Sequence, residues 1–263
     1  MNGQMSPKCS PLLNEKPKNL LESFLRDYNK LFNIDLEKSR RILKDGTLFE
    51  KLTNEWYKNL KENNMKKALS VYNDDYYFID IFDCFRTYSR KYLRSVLKLK
   101  EFKDVKSFID LGCGLSYSTV ALRQMFPKAK GYATNLKATK QWKFCKIMAE
   151  KYDFVLIETV NEVKHNIDLV FASEYFEHII NPINHLKDII EKTNPKYLII
   201  ANSFNTKSIG HFQQYHYQEG DAFWSIHESD MSKMFNRFLK SNGYEKIKTD
   251  IWNDKPTIWV RHD

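Results

Sequence analysis

The sequence predicts an α/β protein: a mostly parallel sheet with helices on both faces, preceded by a helical extension. Three observations predict it. From residue 106 onward, short apolar runs alternate with stretches of helical periodicity, the pattern of parallel strands joined by crossover helices. One such run, Phe108 and Ile109, ends at Asp110 and passes through Gly112 and Gly114 into a helix with apolar face Val120, Leu122 and Met125. Strand, glycine turn and helix in that order open a nucleotide-binding crossover. Residues 19–98, by contrast, place their apolar side chains at helical spacing alone.

In chain order, Met1 to Lys18 is polar and carries Pro7, Pro11 and Pro17, so residues 1–18 are expected to be a flexible tail without a signal-peptide core. Leu20, Leu21, Phe24, Leu25, Tyr28, Leu31 and Phe32 then mark a first helix, and Leu36, Ile42 and Leu43 a shorter one stopped near Gly46. Thr47 is placed to cap a third, with Leu48, Phe49, Leu52, Trp56 and Leu60 on its apolar face. A fourth begins after Asp74-Asp75 and runs through Phe78, Phe82 and Tyr88 to Val96, with acids at its start and bases toward its end, as the helix dipole favours. Five strands are expected at 106–111, 130–135, 154–158, 167–173 and 197–202. The helix before the last of them starts with Asn181 as cap and Pro182 at the first helical position. Residues 203–227 read as a long irregular segment, followed by a helix over 229–242 and a hairpin of strands 245–252 and 257–261. The division is a tail (1–18), a helical extension or lid (19–98) and a cofactor-binding domain (99–263).

Composition sets outer bounds. With 263 residues, 42% of them hydrophobic, the chain can bury a full core. No apolar run approaches the ~20 residues that span a bilayer, so no membrane association is expected. The four cysteines, Cys9, Cys84, Cys113 and Cys145, are scattered without a C-x-x-C pair or metal-ligand spacing. A reduced, cytoplasmic protein without a metal is the simplest inference. A net charge of +9 is compatible with nucleic acid, but no basic run longer than a few residues focuses it.

The glycine turn separates two cofactor classes. A dinucleotide site needs G-x-G-x-x-G and an acid about 20 residues on. Here Tyr117 stands at the third glycine position, and the second strand ends in Ala133-Thr134-Asn135 without an acid. Asp110-Leu-Gly-Cys-Gly114 instead resembles the acid-x-Gly-x-Gly first motif of class I S-adenosylmethionine-dependent methyltransferases. Downstream, Ile167-Asp-Leu-Val-Phe-Ala-Ser-Glu-Tyr-Phe-Glu-His178, followed by Asn181-Pro182, is similar to the fourth motif of the small-molecule members of that family. Five parallel-type strands plus a closing hairpin match the family's seven-stranded, Rossmann-like sheet in number and order.

The resemblance implies S-adenosyl-L-methionine as cofactor and a small-molecule acceptor. Asp110, Gly112, Cys113 and Gly114 would line its methionine end and ribose. Asp110 would act through water or the α-amino group, and Cys113 would be a packing residue rather than a nucleophile. Ser173 and Glu174 would lie near the sulfonium. Tyr76, Tyr77 or Tyr88, on the helix leading into the glycine strand, would reach the methionine end. The ribose acid is missing: the register offers Ala133, Thr134 or Asn135 in its place, of which the Asn135 amide would lack the charge assistance that strengthens such a bond by ~1 kcal/mol, or another residue supplies the contact. The acid meeting the adenine amine is either Glu158 or the Asn161-Glu162 pair. A Glu177-His178 pair in such a loop more often orients the chain than performs chemistry. Candidates for a proton acceptor are Glu174 and, in the His/Tyr/Gln-rich segment after strand five, His211 and His216. Two other functions stay open: methylation of RNA or a modified nucleotide, favoured only by charge, and a non-catalytic binding protein that keeps the fold.

Overall fold

A computed structural model describes residues 17–35, 37, 38, 41, 46–75, 102, 104–247 and 257–262. The expected tail lies outside the described residues except for Pro17 and Lys18, which begin helix α1 (Pro17–Phe32). The helix expected through Tyr88 and the strand residues 248–252 also lie outside them, as does most of the short helix around Ile42. Helix α2 (Gly46–Lys61) and the short α3 (Met65–Ala68) lead into a 3-10 turn, Leu69–Asn73.

The remainder alternates as expected: β1 (Ser107–Leu111), α4 (Tyr117–Met125), β2 (Lys130–Thr134), α5 (Lys140–Tyr152), β3 (Val155–Ile157), β4 (Leu169–Ser173), α6 (Pro182–Thr193) and β5 (Tyr197–Ala201). After β6 (Gln214–Glu219), β7 (Ala222–His227) and α7 (Glu228–Ser241) come β8 (Tyr244–Ile247) and β9 (Thr257–Arg261). The seven-stranded sheet runs β3-β2-β1-β4-β5-β9-β8. The first five strands are parallel, and β9 is antiparallel to both β5 and β8.

Both faces of this sheet are buried, which is why its central strands read as unbroken apolar runs. Successive residues point to opposite faces. Ile109 and Leu111 therefore join the core with Leu186 and Ile189 of α6 and Phe235 of α7. Phe108 packs on the other side with Ala121, Leu122 and Met125 of α4. A third cluster joins Phe24 and Tyr28 of α1 to Phe144 of α5 and to Cys113 in the glycine turn. The N-terminal extension thus packs directly on the elements around that turn.

One expectation is overturned. Residues 203–227 are not irregular throughout: β6 and β7 pair antiparallel as a separate two-stranded sheet, from Gln214↔His227 to Glu219↔Ala222. Gly220, at φ 57°, opens the two-residue turn between them. Tyr215 and Ile226 face the core, whereas Phe223 and Trp224 stand exposed. The alternation is concealed in the sequence because aromatic residues, Phe223 and Trp224, stand on both faces of β7.

Candidate functional site

β1 delivers Asp110 to the carboxyl edge of the sheet, where open α/β sheets bind ligands. The chain then turns through left-handed residues at Gly112 (φ 61°), Gly114 (φ 54°) and Ser116 (φ 64°) before α4 begins. The end of β2 pins this turn from the side. Thr134 Oγ1 accepts the Gly112 N–H at 2.9 Å, and the Thr134 carbonyl accepts the Cys113 N–H at 2.9 Å. Asn135 Nδ2 donates to the Gly114 carbonyl at 2.9 Å, while its Oδ1 accepts the Leu136 N–H at 2.8 Å. The Asn135 amide therefore orients the turn. A side chain at Gly112 would collide with the ring of Tyr175, from the segment after β4, so this glycine makes room for a tyrosine.

Asp110 is 1% exposed, and one carboxylate oxygen accepts the hydroxyls of Ser118 (2.7 Å) and Thr119 (2.5 Å) in the first turns of α4. Burial raises its pKa to about 7, against the opposing pull of those hydroxyls. Beside it opens a cavity of about 440 Å³ at the sheet edge. The glycine turn, Asn135 and Leu136 form one wall; Ser173, Glu174 and Tyr175 form another; Leu69 and Tyr72 of the N-terminal extension close a third. Two of the lining residues, Gln141 and Ser173, bury a polar atom, Nε2 and Oγ, that has no hydrogen-bond partner among the described residues. Such groups cost free energy unless something polar meets them.

Glu162 is occupied in a capping box, its carboxylate accepting the N–H groups of Glu158 (2.8 Å) and Thr159 (3.2 Å). Of the two acids left open by the sequence, Glu158 is the one lining the cavity. Tyr175 separates this cavity from a second recess of about 490 Å³, and its hydroxyl hydrogen-bonds His185 Nε2 at 2.7 Å.

The far wall gathers titratable groups. Glu174, at φ 50°, is held in the left-handed region that a side chain rarely adopts. Ser203 holds both acids, its N–H donating to Glu177 (2.8 Å) and its hydroxyl to Glu174 (3.2 Å). Burial and then the Glu174 charge raise the pKa of Glu177 well above the carboxylate range. His178 is pushed down to about 3 by burial and by its neighbour His211, and its Nδ1 bonds the Tyr72 hydroxyl at 3.0 Å. His211 is also lowered by burial, against the Thr206 backbone, Glu174 and the Ser203 backbone. Its Nδ1 donates to the Thr206 carbonyl at 2.7 Å. Both imidazoles are thus neutral at physiological pH.

The fold brings together Asp110, Gly112, Cys113, Gly114, Asn135, Ser173, Glu174 and His211 on one cavity. His216 is not on it: it lies on β6, its ring 4.9 Å from that of Phe223. Tyr76, Tyr77 and Tyr88 lie outside the described residues. Cys113 is buried, its sulfur 3.8 Å from that of Cys145, and burial pushes its thiol up. Sequence reasoning missed Tyr72, Gln141, Ser203 and Thr206; they reach the cavity from three separate segments, the turn Leu69–Asn73, α5 and the stretch after β5, and no local pattern marks them.

No curated protein sequence matches the chain. Among solved structures, a magnesium protoporphyrin IX methyltransferase from Synechocystis PCC 6803 with bound SAM is similar at 13% identity and a TM-score of 0.45, over 70% of this chain and 82% of that one. A sugar N-methyltransferase from Streptoalloteichus sp ATCC 53650 is 13% identical with a TM-score of 0.46, over 70% and 92%. A mitomycin 7-O-methyltransferase is 11% identical with a TM-score of 0.48, over 97% and 68%. The profile of the methyltransferase domain family matches residues 84–247, more than half of the sequence. The chain belongs to the methyltransferase domain family.

Proposed function

We propose that the protein transfers a methyl group from S-adenosylmethionine to a small-molecule acceptor. The observation that carries this reading is one cavity that joins Asp110 and the glycine turn to Gln141 and Ser173, two residues whose Nε2 and Oγ are buried without a partner among the described residues. A ligand of nucleoside-plus-amino-acid chemistry suits this lining: it offers acceptors to Gln141 and Ser173, an adenine amine to Glu158 and an ammonium to Asp110. Asp110 is suited to that ammonium, because a cation beside a carboxylate of raised pKa favours its charged form.

When bound, this donor supplies a methyl group on a sulfonium, already activated toward displacement. What remains for the protein is alignment, which supplies most of the rate in such a reaction. The glycine turn and Tyr175 line two of the cavity's walls, and Leu69 and Tyr72 of the extension line a third. The acceptor enters against Ser203, Thr206, Ser208, Ile209 and His211. A proton on the acceptor is taken up on the Glu174–His211 face, where the neutral imidazole is fixed in one tautomer by Thr206.

Incubation with methyl-labelled donor and a mixed panel of hydroxyl- and amine-bearing metabolites, alongside tRNA, tests the reading. Label in the low-molecular-weight fraction is the expected result. Label in tRNA alone contradicts the acceptor class, and donor binding without label in any fraction contradicts turnover.

A further inference from the structure

The Glu174–Glu177–His211 cluster has the constitution of a metal site. One oxygen from each carboxylate and one imidazole nitrogen lie within 4.8 Å of one another, on the wall of the 440 Å³ cavity. Glu177 lies within the 3-10 turn Phe176–His178, and Glu174 stands three residues before it, just ahead of that turn. His211 arrives from the segment after β5.

Three features distinguish this from an incidental meeting of acids. First, His211 donates Nδ1–H to the Thr206 carbonyl at 2.7 Å, which leaves Nε2 with the lone pair. A metal-ligating histidine is set in this way, its other nitrogen tied to a carbonyl that fixes ring and tautomer. Second, both carboxylates are oriented by one residue, Ser203, through its N–H and its hydroxyl. That is an outer shell for two ligands at once. Third, Glu174 is held at φ 50° at the position from which its carboxylate joins the cluster, and backbone strain of this kind persists at functional sites. His211 is itself braced from behind, its carbonyl accepting the Trp56 indole N–H at 2.8 Å.

We propose that Glu174, Glu177 and His211 bind a divalent metal ion on the cavity wall. Two carboxylate oxygens and one imidazole nitrogen suit a first-row ion such as Mn²⁺, which accepts both donor types, better than Ca²⁺, which takes oxygen alone. Three protein ligands leave coordination positions open toward the cavity. If the methyl-transfer reading holds, an acceptor hydroxyl would take one of them, and its O–H bond would give up the proton to solvent water more readily than in the free acceptor, because a bound divalent ion lowers the pKa of that oxygen. His211 is then a ligand rather than the base. The ligands are assembled from segments on either side of β5, a spacing that cysteine-based motifs do not show.

The test is titration of the chelator-treated full chain with Mn²⁺ alone, followed by loss of the free-ion electron paramagnetic resonance signal and by calorimetry. One Mn²⁺ per chain is expected, with affinity lowered at least tenfold in His211→Ala and in Glu174→Gln. The His216→Ala variant, altered outside the cavity, should stay within twofold of wild type. Glu174 is partly exposed, so its glutamine variant tests the site even if His211→Ala does not fold. No uptake by the wild type at submillimolar Mn²⁺, or uptake unchanged in Glu174→Gln, overturns the proposal. The methyl donor is absent throughout, so this result and donor binding fail separately.

Discussion

The indole Nε1–H of Trp56, on α2, donates to the backbone carbonyl of His211 at 2.8 Å across 155 positions of sequence. The same ring packs edge-on to Phe212 at 5.6 Å and to Tyr72 at 6.2 Å. A residue of the helical extension thus sets the height of the loop that carries the cavity's histidine.

Trp56→Phe keeps much of that ring packing and deletes the donor, leaving the buried His211 carbonyl unmet. Such a loss costs about 1–3 kcal/mol. Urea denaturation should show a lower midpoint at an unchanged slope, and methyl transfer should fall because the His211 loop is no longer held.

Asp110 gives a pH signature. Its folded pKa of about 7 lies above the unfolded value of 3.8. The folded state therefore binds more protons than the unfolded one between those values. The stability contributed by the protonated group is complete below the unfolded value and is lost as pH rises through about 7. Asp110→Asn keeps an acceptor for Ser118 and Thr119 without the charge. It should exceed wild type in stability by about 2–4 kcal/mol at pH 8, with the gap closing toward pH 4. Denaturation at a series of pH values measures this, and an unchanged gap across the series would contradict it.

Much of this was legible in the sequence. The β1 turn announces itself because buried strands exclude polar residues and left-handed turns select glycine. The hairpin of β6 and β7 did not, because exposed aromatics stand on both faces of β7, Phe223 on one and Trp224 on the other, and blur the alternation. Asn135 is expected from the sequence as a cofactor contact and does line the cavity, but its hydrogen bond to the Gly114 carbonyl is not legible there, because only the three-dimensional approach of β2 to β1 decides that partner. The meeting of Glu174 with His211 has the same character: the chain leaves β5 and returns, and no local pattern encodes the return.

Gly112 and Tyr175 form a testable pair. Gly112→Ala places a methyl group into the tyrosine ring at a residue of φ 61°, so it carries both a clash and backbone strain. The cost should be about 2 kcal/mol. Adding Tyr175→Ala should recover about 1 kcal/mol relative to additivity, since only the clash is relieved. A thermal-denaturation double-mutant cycle reads the coupling, and a strictly additive pair would refute the contact.

Glu174→Gly should raise stability while removing activity. Glycine adopts φ 50° without the penalty a side chain carries, worth about 1 kcal/mol, and the change separates Glu177 from a like charge. A higher melting temperature with methyl transfer reduced at least tenfold is the expected combination. Retained activity would remove Glu174 from the reaction.

The cavity's identity as the donor seat is tested most directly by isothermal titration of S-adenosylmethionine into the full chain and into Asp110→Ala. One site per chain is predicted for the wild type, with affinity reduced at least tenfold in the variant. No heat with the wild type, or equal affinity in the two proteins, would contradict the account.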